Sequence, residues 1–289
     1  MSNQAHAGFP SWLVQQALAA SAARAGRGLR VFGICGLQGS GKSTLAAQLV
    51  VAARQAGLAA ATVSLDDFYL TAARRRALAR DVHPLLATRG PPGTHDLALA
   101  LETFAALRRG HTRPLPRFDK SGDDRLAPEH WADTPAPLDL LVFEGWCLGV
   151  PAESEDALRE PLNPLERGED PDARWRRWCN TALARDYPAL WAHVDMLWFL
   201  QPPGFETVHA WRGEQERALQ AAHPDRTGMD DAALDRALNG DGEYAAEIWM
   251  PASGRWLQFR GRLIRSRAGR AVKLAGVVID VTDRHQAFA

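Results

Sequence analysis

The sequence predicts an α/β fold in which helices flank a mostly parallel sheet. Apolar runs with the length and composition of buried strands lie at 29–35, 60–65, 137–143 and 194–200. A helical pattern rich in Ala and Leu follows the first run at 45–54, and another lies at 97–109, between the second run and the third. Strands that alternate with helices are typical of a parallel sheet that carries helices on its faces.

The first predicted strand runs into a glycine-rich turn that fits the phosphate-binding pattern G-x-x-x-x-G-K-[ST]. This turn, called the P-loop below, is Gly36-Leu37-Gln38-Gly39-Ser40-Gly41-Lys42-Ser43-Thr44. Its glycines allow successive N–H groups to point at a phosphate, and the helix that follows adds the positive end of its dipole. We expect Lys42 to reach the β- and γ-phosphates of a nucleotide and the Ser43 hydroxyl to bind Mg²⁺. The flanking strand and helix argue against a chance glycine turn.

The nucleotide-binding residues predicted from this motif are Gly36, Gln38, Gly39, Ser40, Gly41, Lys42, Ser43 and Thr44.

Acidic residues follow two of the other predicted strands. The second strand runs into Asp66-Asp67, and the third ends at Glu144. Ligands of parallel α/β sheets bind beyond the carboxyl ends of the strands, on the same edge as the P-loop. One of the two aspartates is placed to take the proton of an attacking hydroxyl, although a helix-capping Asp followed by a surface Asp is the alternative. An apolar run that ends in an acid is the Walker B pattern, and it predicts that Glu144 helps to hold Mg²⁺.

Composition and charge narrow the class of protein. The 289 residues suffice for one large α/β domain, or for one domain and a small module, and 46% of them are hydrophobic. Lys plus Arg equals Asp plus Glu at 34 each, which argues against a nucleic-acid-binding protein. The three cysteines are far apart, which predicts neither a disulfide framework nor a metal site. We find no apolar run of about 18 residues and no signal-peptide pattern, so we expect a cytoplasmic protein without a membrane span.

Two basic clusters have open interpretations. The arginines at 74–76 and 80 form a helical run that is typical of a solvated face. Arg174 and Arg177 lie in a charged stretch with tryptophans, and they predict a mobile lid that closes over the phosphates. An exposed amphipathic helix is the alternative for this second cluster. The polar segment 114–125 is either a functional loop or a solvated one.

Taken in order, these motifs resemble the D-glycerate 3-kinase family of P-loop kinases, a branch related to uridine kinase and phosphoribulokinase. The resemblance covers about residues 12–238. Beyond the P-loop, it rests on Ser64-Leu65-Asp66-Asp67-Phe68-Tyr69-Leu70, Arg89-Gly90, Gly93-Thr94-His95-Asp96, Phe118-Asp119-Lys120, Asp124-Arg125, Phe143-Glu144-Gly145-Trp146, Gln201-Pro202-Pro203, Trp211-Arg212 and Glu214-Gln215-Glu216.

The resemblance implies ATP- and Mg²⁺-dependent phosphorylation of a small hydroxy acid, which gives 3-phosphoglycerate if the substrate is D-glycerate. By position, Asp66 matches the catalytic base of uridine-kinase-like enzymes and Glu144 their Walker B glutamate, so Lys42, Asp66 and Glu144 are the expected catalytic residues. An anionic substrate needs cationic partners, which suggests Arg89, His95, Lys120 and Arg125. The full set of expected substrate contacts is Asp67, Tyr69, Arg89, His95, Asp96, Lys120 and Arg125.

The resemblance ends near Asn239, where the family would continue with more helix and a last strand of the sheet. The remaining segment, 239–289, is called the tail below, and it resembles the second half of a PAS sensor domain. We therefore expect a kinase domain at 1–238 and a partial PAS-like β segment at 239–289. A gene fusion, a frameshift or an annotation artefact would each produce such a junction.

The composition of the tail predicts a small antiparallel sheet. Its strands are expected at 244–250, 256–266 and 271–282, which are rich in β-branched and aromatic residues and are broken at glycine turns. About fifty residues cannot enclose a pocket and also bury a core of their own. We therefore expect the tail to bind no cofactor and to dock its apolar side on the kinase, at the sheet edge or on the helices that the missing last strand leaves uncovered. A second chain is the alternative partner for this surface.

Two hypotheses of different classes follow. The first is a small-molecule kinase that acts on a hydroxy acid. The second is a regulatory or sensory fusion protein, in which a nucleotide-binding module is coupled to the PAS-like tail and little turnover occurs. The first hypothesis predicts that a hydroxy acid stimulates the release of ADP. The second predicts nucleotide binding without such stimulation. The oligomeric state has no signature in the sequence.

Overall fold

The computed structural model describes residues 8–22, 28–135 and 137–200 in full, and the backbone of 247–250, 255–265 and 271–280. The strands are β1 Arg30–Gly36, β2 Ala60–Ser64, β3 Phe118–Asp119, β4 Asp124–Arg125, β5 Leu140–Gly145, β6 Met196–Leu200, β7 Glu247–Met250, β8 Arg255–Arg265 and β9 Ala271–Asp280. The α-helices are α1 Ser11–Ala22, α2 Lys42–Gln55, α3 Ala72–Asp81, α4 Leu97–Arg108, α5 Pro164–Glu169, α6 Arg174–Arg185 and α7 Tyr187–Trp191. Short 3₁₀ helices lie at Leu65–Phe68, Pro84–Ala87 and Pro128–His130.

The main sheet confirms the predicted parallel α/β fold. Its strand order is β2-β5-β1-β6, and every neighbouring pair is parallel. Parallel neighbours need a crossover connection, which helices such as α2 and α4 supply along the chain. Side chains alternate between two cores: in β1, Phe32 and Ile34 pack with α1 and α2, whereas Val31 and Cys35 pack with α4. Burial on both faces explains why the strands are continuous apolar runs.

The register of the sheet determines where the candidate functional residues lie along the strands. Glu144 in β5 lies opposite Ile34 in β1 and opposite Ser64 in β2. The P-loop begins two residues beyond Ile34, and Asp66 lies two residues beyond Ser64. The three predicted functional segments therefore leave the sheet at the same edge, as the sequence indicated.

The interpretation of the arginines at 74–76 and 80 as a solvated face is wrong for Arg75. This residue lies in α3 and is 1% exposed. Its guanidinium donates to the backbone oxygens of Leu70, Ala87 and Asp123, and it forms an ion pair with the Asp123 carboxylate. A buried guanidinium needs this many acceptors because an unpaired one is costly to desolvate. Arg75 thereby ties α3 to the segment between β3 and β4.

The C-terminal strands form an antiparallel sheet in the order β7-β8-β9, and their bounds agree with the ranges predicted from sequence except that β8 begins one residue earlier, at Arg255. Phe259 lies opposite Val278 in the register of β8 and β9. Cα atoms of β9 come within 8 Å of β6, which is an edge strand of the parallel sheet that the described residues form. The likeness of the tail to a PAS domain stays a prediction. The family motifs between 201 and 216 lie outside the described residues.

None of the described helices is both long enough and apolar enough to cross a lipid bilayer.

We predict that the tail stabilises the kinase domain by covering the β6 edge. A chain that ends after Leu238 should melt several degrees lower than the full chain or aggregate, because apolar surface becomes exposed. A chain that ends after Asp280 retains β7–β9 and is the matched control. Differential scanning calorimetry measures both. An unchanged melting temperature after removal of the whole tail would show that it does not dock.

Candidate active site

The P-loop joins β1 to α2 in the conformation that its glycines predict. Gly41 caps α2 with φ of +87°, a left-handed angle that favours glycine. The Lys42 ammonium folds back and donates to the Leu37 carbonyl at 2.9 Å. Burial lowers the pKa of Lys42, and the nearby Glu144 carboxylate opposes that shift. The buried Ser40 hydroxyl has no hydrogen-bond partner among the described residues. An unpaired hydroxyl and an inward-folded lysine fit a site that phosphate oxygens complete.

Glu144, the predicted Walker B acid, contacts the P-loop. The Ser43 hydroxyl donates to Oε1 of Glu144 at 2.9 Å, and Glu144 is 7% exposed. Burial raises the pKa of Glu144, while Lys42 and the Ser43 hydrogen bond oppose the rise. A hydroxyl and one carboxylate are the protein ligands that Mg²⁺ commonly takes beside nucleotide phosphates. Ser43 and Glu144 therefore fit a magnesium ion.

Asp66 lies at the start of the 3₁₀ helix after β2, with each carboxylate oxygen engaged. The Tyr69 hydroxyl donates to Oδ1 at 3.0 Å, and the Lys120 ammonium contacts Oδ2 at 2.6 Å. Burial alone would raise the pKa of Asp66, but Lys120 and the hydrogen bonds hold it below its ordinary value. Asp66 is therefore an ionised carboxylate beside a cation, which can accept a proton from a bound hydroxyl.

Asp67 has the contacts of a residue that holds the fold. It completes a capping box with Ser64, whose backbone N–H donates to Oδ2 at 3.1 Å. Arg117 contacts the same oxygen at 2.9 Å, and the backbone N–H of Phe118 donates to Oδ1 at 3.3 Å. Burial raises the pKa of Asp67 and Arg117 opposes the rise. The helix-capping alternative thus applies to the second aspartate of the pair rather than the first, and a substrate contact for Asp67 stays a prediction.

His95 lies beside this aspartate, but not as the cation expected from sequence. Its backbone forms a β-bridge with Tyr69, and the two rings stack with centroids 4.5 Å apart. Its Nδ1 atom lies 2.6 Å from the Tyr187 hydroxyl. Burial lowers the pKa of His95 to about 4, although the Asp66 charge opposes the shift. At neutral pH the imidazole is therefore uncharged, and any contact with a substrate is a hydrogen bond rather than an ion pair.

The other cations predicted for the substrate are paired with acids at the same edge. Lys120 lies on the hairpin of β3 and β4, which places it on Asp66. Arg125 on the same hairpin pairs with Asp96 at 3.0 Å, and so does Arg74 from α3 at 2.9 Å. Arg89 pairs with Asp123. Asp96 also caps α4 by accepting from the Leu99 N–H at 3.3 Å.

Direct contacts thus join Asp66, Tyr69, His95 and Lys120, whereas Arg89, Asp96 and Arg125 belong to ion pairs around the hairpin. Sequence reasoning missed several residues that hold this arrangement. They are Arg74, Arg75, Arg117 and Tyr187. The position of Arg117 next to the Phe118-Asp119-Lys120 motif was a usable signal. No local pattern marked Tyr187, which lies 92 residues from its partner His95.

The arginines assigned to a lid lie at the start of α6. Arg174 donates to the Asp81 carbonyl at 3.5 Å, and Arg177 lies 3.4 Å from a Glu155 oxygen. Arg176 between them is 7% exposed and pairs with the buried Asp170 at 3.3 Å. The lid role of Arg174 and Arg177 stays a prediction.

A parallel sheet with a P-loop after β1 and a carboxylate at the end of the neighbouring strand β5 is the architecture of a P-loop nucleotide-binding protein. Residues 31–153 match the model of the Phosphoribulokinase / Uridine kinase family, and the chain belongs to this family. The sequence-derived assignment to a branch of P-loop kinases related to uridine kinase is thereby confirmed.

The chain is similar to several kinases in sequence and structure. An uncharacterised kinase of Schizosaccharomyces pombe is 33% identical over an alignment of 225 residues that covers 72% of this chain and 77% of that protein. The chloroplastic D-glycerate 3-kinase of Arabidopsis thaliana is 32% identical over 215 residues, 70% of this chain but 43% of that longer protein. The structure of D-glycerate 3-kinase from Cryptococcus neoformans var. grubii superposes with a TM-score of 0.68 at 27% identity, covering 92% of this chain and 97% of that one.

We predict that His95 makes stability depend on pH. Its pKa of about 4 in the folded state lies below the value of about 6.5 in the unfolded state. The unfolded state therefore binds more protons as pH falls from 6.5 towards 4, and the free energy of unfolding decreases by up to about 1.4 kcal/mol per pH unit from this group. His95→Gln should remove that part of the slope in urea titrations, with His130→Gln at an exposed position as control. Equal slopes for His95→Gln and the wild type would contradict the prediction.

Proposed function

We propose that this kinase uses MgATP to phosphorylate a hydroxyl group of a small hydroxy acid, with D-glycerate as the first candidate and 3-phosphoglycerate as its product. The observation that carries the proposal is the pairing of Asp66 with Lys120 at the sheet edge that also holds Ser43 and Glu144. A carboxylate that could accept a proton and an ammonium that could bind an anion thus lie at the sheet edge from which the P-loop emerges. The two D-glycerate 3-kinases among the similar proteins support this substrate class.

The P-loop and Glu144 would hold the nucleotide and its metal. Bound MgATP supplies the phosphoryl group that is transferred. Lys42 would exchange its contact with the Leu37 carbonyl for phosphate oxygens, where a buried ammonium stabilises the charge that develops during transfer. The orphaned Ser40 hydroxyl would gain a partner in the same step.

Asp66 would act as the general base for the acceptor hydroxyl. In the structure its lowered pKa makes it a weak proton acceptor, because Lys120 and Tyr69 stabilise its ionised form. The carboxylate of a hydroxy acid competes with Asp66 for Lys120, since both are anions that the same ammonium can bind. When Lys120 moves to the substrate, the pKa of Asp66 rises towards the range in which it accepts a proton effectively.

Testing this function requires turnover with a panel of substrates. We expect ADP release that D-glycerate, or a related small hydroxy acid with a free carboxylate, stimulates strongly over ATP alone. Glycerol, which has the hydroxyls but no carboxylate, is the matched control and should stimulate little. Lys42→Ala controls for contaminating kinases. Its rate should be at least tenfold lower than that of the wild type, which corresponds to a loss of about 1.4 kcal/mol of transition-state stabilisation. Nucleotide binding without stimulated release would instead favour the regulatory fusion hypothesis.

The two neighbouring aspartates should separate catalysis from stability. We predict that Asp66→Asn lowers kcat by about a hundredfold or more while ATP binding is retained, because an amide cannot accept the hydroxyl proton. Asp67→Asn should change kcat less but lower the free energy of unfolding by about 1–3 kcal/mol. The amide has a single acceptor oxygen where the carboxylate serves Ser64, Arg117 and Phe118.

Steady-state kinetics, nucleotide titration and urea unfolding measure these effects on both variants. A larger loss of kcat in Asp67→Asn than in Asp66→Asn would assign the base to Asp67 and reject the role given to Asp66.

A further inference from the structure

A chain of hydrogen bonds runs from the backbone to the ring of His95. The Gly93 N–H donates to the Tyr187 hydroxyl at 2.9 Å, and this hydroxyl lies 2.6 Å from Nδ1 of His95. Tyr187 is 0% exposed and His95 5% exposed, so water does not compete for these bonds. Gly93 has φ of +91°, and a side chain there would meet Trp178 Nε1 at 2.7 Å. The turn that supplies the N–H is therefore closely specified.

These hydrogen bonds determine which atoms of Tyr187 and His95 carry protons. The Tyr187 oxygen accepts from Gly93 and carries one proton of its own, whose available acceptor is Nδ1 of His95. Burial raises the pKa of Tyr187 above its ordinary value, so the phenol keeps that proton. If Nδ1 carried a proton instead, the Tyr187 hydroxyl would receive two donors and leave its own proton unpaired in a buried place. Nδ1 is thus the acceptor, and the single N–H of the neutral ring lies at Nε2.

Nε2 of His95 is buried and has no hydrogen-bond partner among the described residues. The ring stacks on Tyr69, whose hydroxyl binds Asp66, so the unpaired N–H belongs to the same cluster as the proposed base. An unmet buried donor is costly, because it has lost its hydrogen bonds to water without gaining a partner in the protein. Such a group in a native structure calls for an acceptor that a ligand or a water molecule brings.

We propose that Tyr187 holds His95 as the Nε2–H tautomer, and that this neutral N–H donates to a carboxylate oxygen of the hydroxy-acid substrate. The inference rests on the proposed function for its ligand, but the tautomer is a property of the protein alone. Tyr187 is then a positioning residue, which acts on the substrate through His95.

The carboxylate is the part of the substrate that fits this donor. A carboxylate only accepts hydrogen bonds, whereas the attacking hydroxyl must donate its proton to Asp66. A site with a fixed buried donor discriminates strongly against analogues that lack the matching acceptor, because the donor is then left unpaired. Lys120 would recognise the charge of the substrate, and His95 would fix its orientation.

The tautomer is tested by ¹⁵N-resolved NMR of the histidine rings in the full-length protein without ligands. The His95 ring, identified by its loss in His95→Gln, should show the Nε2–H pattern and stay neutral between about pH 5.5 and 8. Tyr187→Phe should convert it to a mixture of tautomers. Thr103→Val removes another buried hydroxyl, which donates to the Leu99 carbonyl at 2.8 Å, and should leave the pattern unchanged. An Nδ1–H or protonated ring in the wild type would overturn the proposal.

The donor role is tested by matched substitutions at His95. The amide nitrogen of glutamine reaches the place of Nε2, whereas asparagine reaches only as far as Nδ1. We therefore expect His95→Gln to retain a lower KM for the hydroxy acid than His95→Asn. Tyr187→Phe should raise this KM by about tenfold or more while the KM for ATP is unchanged. Thermal melts exclude loss of folding as the cause.

These experiments distinguish a wrong role for His95 from a wrong proposed function. If no hydroxy acid stimulates ADP release by the wild type, the proposed function and the ligand named here both fail, whereas the NMR result still decides the tautomer. If D-glycerate is turned over but Tyr187→Phe keeps its KM, or His95→Gln and His95→Asn behave alike, the role of His95 as donor is rejected and the function stands.

Discussion

The register of β5 between β1 and β2 is the constraint on which the site depends. It places Glu144 level with Ile34 and Ser64, so that the P-loop and Asp66 emerge on either side of β5. A slip of one residue would turn Glu144 from one face of the sheet to the other, because side chains alternate along a strand. Burial of β5 on both faces opposes such a slip, since apolar side chains fill each core.

A second layer of interactions holds the hairpin of β3 and β4 over this edge. Arg75 reaches the hairpin from α3, and Arg117 joins its first strand to Asp67. Short two-residue strands cannot be stable in isolation, so these ion pairs and the backbone bond from Phe118 to Asp67 fix their position. Lys120 depends on this framework to meet Asp66, since it lies at the exposed end of the hairpin.

The main features of the fold and the position of the P-loop between β1 and α2 could be predicted because local patterns encode them. The apolar runs specify parallel strands, and the spacing from Gly36 to Ser43 specifies a loop whose geometry hardly depends on the rest of the chain. The surroundings of Asp66, where the substrate is proposed to bind, could not be predicted in the same detail. Whether Arg75 is solvated or buried, or His95 charged or neutral, depends on packing between segments far apart in sequence. The role of Tyr187 depends on α7 meeting the Gly93 turn, which no short motif records.

The ion pair of Lys120 with Asp66 affects how readily ATP would be hydrolysed in the absence of substrate. A nucleotide bound next to an ionised carboxylate is at risk of attack by water, which the carboxylate could deprotonate. With Lys120 on Asp66, that carboxylate has a depressed affinity for protons and is partly covered. On the role proposed for Asp66, a stray water is therefore poorly activated, while an arriving carboxylate draws the ammonium away. Futile hydrolysis of ATP would be suppressed by the same lysine that recruits the substrate.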